Sequence, residues 1–289
     1  MGWRSVVVDT PSKISFKNNY LVVTGSDNNM IHISEIDMLM ISTTQATITA
    51  YALSELNKAK VRTVFCDEKR NPYGEISAYY GSHNTSKKIN LQLKWDEDCK
   101  MRIFTQIIRQ KIANQAALLT KIGKQNESVM LSSYLDEIQI SDITNREGFA
   151  AKVYFNALFG KEFSRQIFSD TNAALDYGYT ILLSAINRAV INCGCLTQLG
   201  LKHCNEYNFF NLSCDIIEPF RVIVDEYVYE NIGRVLDRDY KFELVNLLNN
   251  QVRFNNENIS LVMAIKQITK DIINHLNCHV YEGIKLYEL

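Results

Sequence analysis

Proline is nearly absent from this chain: there are three in 289 residues, beside twelve glycines. So few breakers exclude a loop-rich or collagen-like scaffold and favour long regular elements. No apolar run approaches the roughly 20 residues that a membrane-spanning helix needs. Met1 is followed by Gly-Trp-Arg and a short strand-like run, which is not the pattern of a secretory leader. The seven cysteines are odd in number and none stand as Cys-x-x-Cys. That argues against a disulfide framework and for a reducing compartment. These absences together predict a cytoplasmic protein without a membrane partner. Excess positive charge is missing too. The net charge is -1, which counts against a strongly basic nucleic-acid binder and means that charge must be read locally.

What is present is enough apolar material for a packed core. Hydrophobic residues make up 46% and charged residues 22%, a balance that excludes global disorder. The length suits two ordinary domains or one large one. Residues 1–67 read as a small β-rich domain. SVVVD (5–9), KISFK (13–17), YLVVTG (20–25), MIHIS (30–34), IDMLMIS (36–42) and VRTVFCD (61–67) are short and β-branched, with one helical pattern over 45–60. Residues 68–95 hold Pro72 and small polar residues and read as a linker, closed by an extended piece, INLQLKW (89–95). Tyr79, Tyr80 and His83 in it are candidate partner contacts that the sequence leaves undecided.

From residue 96 to 289 the apolar spacing is helical, with candidate helices near 96–122, 128–139, 145–159, 172–193, 211–233, 240–249 and 261–277. QVRFNNENIS (251–260) reads as a hairpin with a polar tip. The predicted class is therefore α+β: a small β-rich N-terminal domain followed by a larger all-α C-terminal domain.

One stretch of the helical half breaks its own pattern. GLKHCNEYNFFNLSCDIIEPFRVIVD (200–225) sets Asp215 and Glu218 among apolar residues, with His203 a dozen positions upstream. Residues three apart share a helical face. Pro219 cannot donate a backbone hydrogen, so the helix should kink beside the two carboxylates. Glu147 is a candidate third group. It stands in the first turn of a helix, followed by Gly148, Ala150 and Ala151, which leave room for close approach. Two carboxylates and an imidazole suit a divalent cation of the Mg2+ or Mn2+ kind. A solvated acidic face and a structural histidine are the plain alternatives at this point.

The segments REGFAAKVYFNALFG, GLKHCNEYNFFNLSCDIIEPFRVIVDEYV and the opening MGWRSVVVDTPSKISFKNNYLVV resemble the CRISPR-associated spacer-acquisition integrase, in its type II-A form. The sharpest motifs are Glu-Gly-x-Ala-Ala-x-x-Tyr-Phe and Asp-x-x-Glu-Pro-Phe-Arg. The resemblance implies a metal-dependent DNA integrase and endonuclease. Its cation ligands and catalytic residues would be Glu147, His203 and Glu218, with Asp215 as an accessory acid. Many relatives carry aspartate where this chain has Glu218, and some carry a second histidine where it has Cys204. It further implies Mg2+ or Mn2+ as cofactor and double-stranded DNA as substrate. A homodimer would join through the β-rich domains, and a small ferredoxin-like adaptation partner would complete a heterohexamer. An effector nuclease and a further adaptation subunit are additional implied partners. The reaction would be transesterification by a DNA 3′-hydroxyl. The rival readings are a non-catalytic DNA-binding scaffold and a stand-alone branched-DNA repair nuclease.

A DNA binder needs cationic surface. The helical half is net negative, but residues 99–124 carry Lys100, Arg102, Arg109, Lys111, Lys121 and Lys124 with no acid among them. Arg102 and Arg109 are seven apart and share a face opposite the apolar stripe. With Arg146 and Arg221 they are the candidate phosphate contacts. Solvated basic residues on an amphipathic helix are the simpler account of each.

Overall fold

The β-branched runs near the start pair into two sheets. The computed structural model, which describes residues 4–76 and 84–289, divides into two compact units, 1–80 and 81–289. The first contains strands β1 (Arg4–Val8), β2 (Lys13–Lys17), β3 (Tyr20–Thr24), β4 (Asn28–His32), β5 (Ile36–Ile41) and β6 (Thr47–Ile48). Helix α1 (Ala50–Lys58) follows, then β7 (Arg62–Cys66) and β8 (Pro72–Ile76). One sheet has the order β4-β3-β2-β6 and the other β1-β5-β7-β8. Asn18 and Asn19 both take positive φ, as a two-residue hairpin between β2 and β3 requires. Ile14, Leu21, Leu39, Ala52 and Leu56 form one buried core drawn from both sheets and the helix. The Thr49 hydroxyl accepts from the Ala52 amide at 3.2 Å and starts α1. That start falls later than the periodicity predicts, because Thr47 and Ile48 pair with β2.

Among the described residues the regular elements of the second unit are helical apart from one hairpin. It comprises α2 (Thr85–Gln92), α3 (Glu97–Lys121), α4 (Gln125–Leu135), α5 (Arg146–Phe159), α6 (Asp170–Asn192), α7 (Asn211–Ile216), α8 (Arg221–Glu230) and α9 (Arg238–Asn246). The hairpin of β9 (Gln251–Phe254) and β10 (Glu257–Ser260) precedes α10 (Leu261–Cys278). Asp96 caps α3 by accepting from the Cys99 amide at 2.8 Å, and Ser169 caps α6 by accepting from Asn172 at 3.1 Å. These two long helices supply much of the core, including Ile103, Ile107, Ile108 and Ile112 from α3 and Leu175, Leu182 and Ile186 from α6. At Gly178 a Cβ would lie 2.5 Å from a Val224 methyl. Only glycine there lets α6 and α8 approach this closely.

The stretch expected to be a linker, 68–95, carries two regular elements. β8 pairs antiparallel with β7 and extends a sheet. INLQLKW, expected to be extended, falls mostly in the C-terminal half of α2. Gln92 accounts for this: it is buried, and its side chain donates to the Leu196 carbonyl and accepts from the Leu196 amide, at 2.9 and 2.8 Å. A helix end held by a turn 104 residues away is decided by tertiary contacts. Tyr79, Tyr80 and His83 lie outside the described residues.

Asn114 of α3 joins three distant segments. Its amide nitrogen donates to the carbonyls of Pro219 and Tyr287 at 2.8 and 2.9 Å, and its amide oxygen accepts from the Leu289 backbone at 3.2 Å. An Asn114→Leu variant leaves two carbonyls without this donor, and should lose about 2–4 kcal/mol of stability. Urea unfolding checks this; a loss under about 0.5 kcal/mol would show that water takes over both carbonyls.

Candidate active site

Apolar spacing alone would run one helix through 211–230, and Pro219 prevents it. α7 stops at Ile216, a single 3-10 turn spans Glu218–Phe220, and α8 resumes at Arg221. Proline has no N–H to continue the ladder. The break turns Glu218 inward, where the residue is 5% exposed. The Pro219 carbonyl is caught by Asn114, so the turn is fixed to α3.

Glu147 arrives from the first turn of α5. Asp142 accepts from the Arg146 and Glu147 amides at 2.8 and 2.9 Å and anchors that turn. Gly148 gives no opening to a ligand, contrary to what the small residues suggest. A Cβ there would meet the Asn145 side chain at 2.7 Å, so the space is already filled.

Lys111 of α3 completes the group. Its Nζ donates to Glu147 Oε1 at 2.6 Å and also lies 2.6 Å from Glu218 Oε2. Both contacts are short and charge-assisted, and Glu218 Oε2 is buried. Arg221 Nε donates to the other oxygen of Glu218 at 3.1 Å. Burial would push the Glu218 carboxyl up, but Lys111 and Arg221 outweigh it and hold it at about 2. Lys111 is likewise kept charged. Burial opposes the charge, and Glu218 and Glu147 override that opposition.

His203 stands within electrostatic range of the same carboxylates, on a loop organised around Asp215. Asp215 is fully buried. Its carboxylate accepts from the backbone amides of Leu201, Lys202 and His203 at 2.6, 3.3 and 3.2 Å. It also holds His203 Nδ1 at 2.6 Å. Gly200 makes the wrap possible, since a Cβ there would lie 2.3 Å from the His203 carbonyl oxygen. The imidazole is pushed up in pKa first by the Asp215 hydrogen bond; burial opposes this, and Asp215, Glu218 and Glu147 add to the rise. With Nδ1 engaged, Nε2 is the nitrogen left for an outside ligand. A carboxylate behind a histidine is the arrangement that orients metal-bound imidazoles.

The donor types fit a hard divalent cation with one nitrogen ligand: two carboxylates sharing a positive neighbour, and a pinned imidazole. As the side chains stand, no group of three or more His, Cys, Asp or Glu among the described residues is gathered to hold a metal ion. The Lys111 ammonium lies where the two glutamates meet.

A model of the CRISPR associated protein Cas1 family matches residues 6–264. The chain belongs to this family. A CRISPR-associated endonuclease Cas1 from Neisseria meningitidis serogroup C (strain 8013) is 33% identical over 275 residues, covering 93% of this chain and 90% of that protein. Among solved structures, a casposase bound to integration product matches 97% of this chain and 94% of its own, with a TM-score of 0.79 and 17% identity. A chain of a partial Cas6-RT-Cas1--Cas2 complex matches at 100% and 99%, with a TM-score of 0.69 and 20% identity. At these identities the structural likeness is one of fold. The β-rich start and mostly helical remainder of this Cas1 family member agree with it.

The four arginines predicted to meet phosphate stand in different settings. Arg102 is paired with Asp98 at 2.6 Å and lies over the Tyr281 ring. Arg146 is paired with Glu137 at 2.6 Å. Arg221 is turned inward, onto Glu218 and over the Tyr179 ring at 4.6 Å. Arg109 is exposed and lines a groove of about 820 Å³ with Arg253 and Lys285. A second cleft, of about 760 Å³, is lined by His203 together with Lys100, Lys202 and Phe209.

Sequence reasoning counted Lys111 as a surface cation and missed its place at the site. The available signal was its register. Lys111 falls on the buried stripe of Phe104, Ile107 and Ile108, three and four residues beyond the two isoleucines, where a lone lysine needs an internal partner. Gly200 had no signal beyond being glycine.

Two outcomes follow from this geometry. A Gly200→Ala variant should loosen the loop that carries His203, read as increased proteolysis or hydrogen exchange over 200–206; unchanged protection would contradict the steric argument. The folded Glu218 titrates near 2, below its ordinary 4.5. Its share of stability is therefore complete above the ordinary value and is lost as pH falls toward 2. Unfolding free energy should drop more steeply across that window in the wild type than in Glu218→Gln; parallel curves would remove Glu218 from the balance.

Proposed function

We propose that this Cas1 family member is a metal-dependent DNA integrase and endonuclease that inserts short foreign DNA into a CRISPR array. The reading rests chiefly on one observation. Glu147 and Glu218, 71 residues apart in sequence, meet at one positive charge, while Asp215 pins His203 within electrostatic range of both. That arrangement supports a two-carboxylate, one-imidazole cation site. Glu147, Glu218 and the Nε2 of His203 would hold Mg2+ or Mn2+. When bound, such an ion polarises a phosphodiester and acidifies a hydroxyl at neutral pH.

The chain's own groups supply position and charge. Asp215 fixes the histidine tautomer and ring plane. Arg221 keeps Glu218 ionised. The exchange proceeds by transesterification. The 3′ oxygen of the incoming strand bonds to phosphorus and loses its proton to water. The target strand's 3′ oxygen leaves with the bonding electrons and is protonated in turn. No bond to the protein forms.

Support for the partners comes from the relatives. The casposase of similar fold is bound to an integration product, and the partial complex of similar fold includes Cas2. On this reading the substrate is double-stranded DNA, and the small ferredoxin-like adaptation partner joins two homodimers of this chain into a heterohexamer. The type II-A resemblance adds an effector nuclease. Exposed Arg109, with Arg253 and Lys285 beside it, is the favoured phosphate contact. No helix among the described residues is long and apolar enough to cross a membrane.

The test is strand transfer of a labelled duplex into a repeat-containing target, with Mn2+ and the small partner present. His203→Ala should abolish the product while duplex binding persists, and a chelator should stop the wild type. Asp215→Asn should cost about 10–100-fold in activity or cation affinity. Undiminished integration by His203→Ala would refute the site, and activity without any divalent ion would refute the cofactor.

A further inference from the structure

Lys111 is more than a neutralising neighbour of the glutamates. Its ammonium sits at the point that both carboxylates address, and its side chain is only 12% exposed. A divalent cation and an ammonium cannot share that point, because like charges at contact distance in a buried site repel strongly. One must leave for the other to enter.

A place for the lysine to go is already built. Beside Glu218 lies a cavity of about 160 Å³, lined by Lys111 itself, Gln115, Phe155, Arg165, Tyr179 and Asp225 among others. Gln115 stands four residues along α3 from Lys111, on the same face. It is 3% exposed, and its side-chain oxygen is buried with no hydrogen-bond donor. Unpaired buried acceptors are rare and costly, so an orphan within reach of a long flexible donor calls for an explanation. At the other end the ammonium lies 2.6 Å from Glu218 Oε2, an ion pair that breaks when the lysine leaves.

Resting on the cation-site reading above, we propose that Lys111 is an exchangeable internal counter-ion. It bridges Glu147 and Glu218 when no metal is bound, and swings to the Gln115 side-chain oxygen when a divalent cation takes its place. No covalent step is involved; one positive partner replaces another. The device lets the site fold without metal and lowers apparent metal affinity by the strength of the ion pairs that must be broken. Arg221 stays on Glu218 in both states.

The experiment uses the full chain and Mn2+ alone. Mn2+ affinity is measured by calorimetry for wild type, Lys111→Met and Gln115→Leu. Lys111→Met should bind at least about tenfold more tightly, the modest end of what a close buried charge pair is worth. Gln115→Leu should bind about threefold or more weakly, since the displaced lysine loses its acceptor. A wild-type measurement guards against variants that misfold. Carbodiimide should link Lys111 to Glu147 in chelator, detected as a joined peptide by mass spectrometry, and saturating Mn2+ should suppress that link several-fold. Equal or weaker binding by Lys111→Met, or a link that Mn2+ leaves intact, overturns the exchange while the cation site stands. Gln115→Leu binding as tightly as wild type overturns the role of Gln115. No Mn2+ binding by wild type and Lys111→Met alike overturns both the exchange and the cation site.

Discussion

A carboxylate stays ionised inside a protein only if positive charge is brought to it, and Glu218 is where this chain meets that condition. Pro219 ends α7, the 3-10 turn aims the side chain inward, and the carboxyl enters a region that would otherwise protonate it. Lys111 from α3 and Arg221 from α8 supply the compensation. Remove either cation and the buried charge is left underpaired, a far larger loss than any exposed pair represents. The positions of α3, α5 and α8 relative to one another are therefore tied to an electrostatic requirement as well as to apolar packing.

Asp225 shows what happens without that compensation. It is buried one helical segment beyond Glu218 and lines the same small cavity. Its partners are hydroxyls: Tyr154 donates at 3.0 Å, and Tyr179 donates to the other oxygen. Burial pushes this carboxyl up to about 6, against the hydrogen bonds of the tyrosines and the more distant pull of Arg221 and Lys111. Two carboxylates in one neighbourhood thus differ in charge tendency because one touches cations and the other touches neutral donors. The difference keeps Glu218 anionic and gives Asp225 a structural task, holding Tyr179 under the Arg221 guanidinium.

Much of this was legible in the sequence. The strands at 13–17 and 20–24, the helices near 97–121, 146–159, 170–192 and 261–278, and the hairpin at 251–260 follow from local periodicity and turn chemistry, which act within a few residues. The kink at Pro219 was legible for the same reason. α2 was not, because its end is fixed by a buried glutamine bonded to a turn 104 residues on. β8 was missed because Pro72 and Gly74 weaken strand propensity, while pairing to β7 on one side is enough to define it. In each miss a contact distant in sequence overrode a local signal.

The site divides in the same way. Glu147, His203, Asp215 and Glu218 stand out in the sequence because their residue types, and the motifs around them, carry chemistry on their face. Their wiring was not. Asp215 was read as an accessory acid, yet it accepts three backbone amides and orients the imidazole. Arg221 was read as a phosphate contact, yet it faces inward. Lys111 was one cation among six on and just beyond a long helix. What distinguishes these three is the partner each side chain meets. For Asp215 and Lys111 that partner stands 12 and 107 residues away and leaves no mark on the local spacing. The motifs therefore announce their chemistry-bearing side chains far more clearly than the charges and backbone donors that hold those side chains in place.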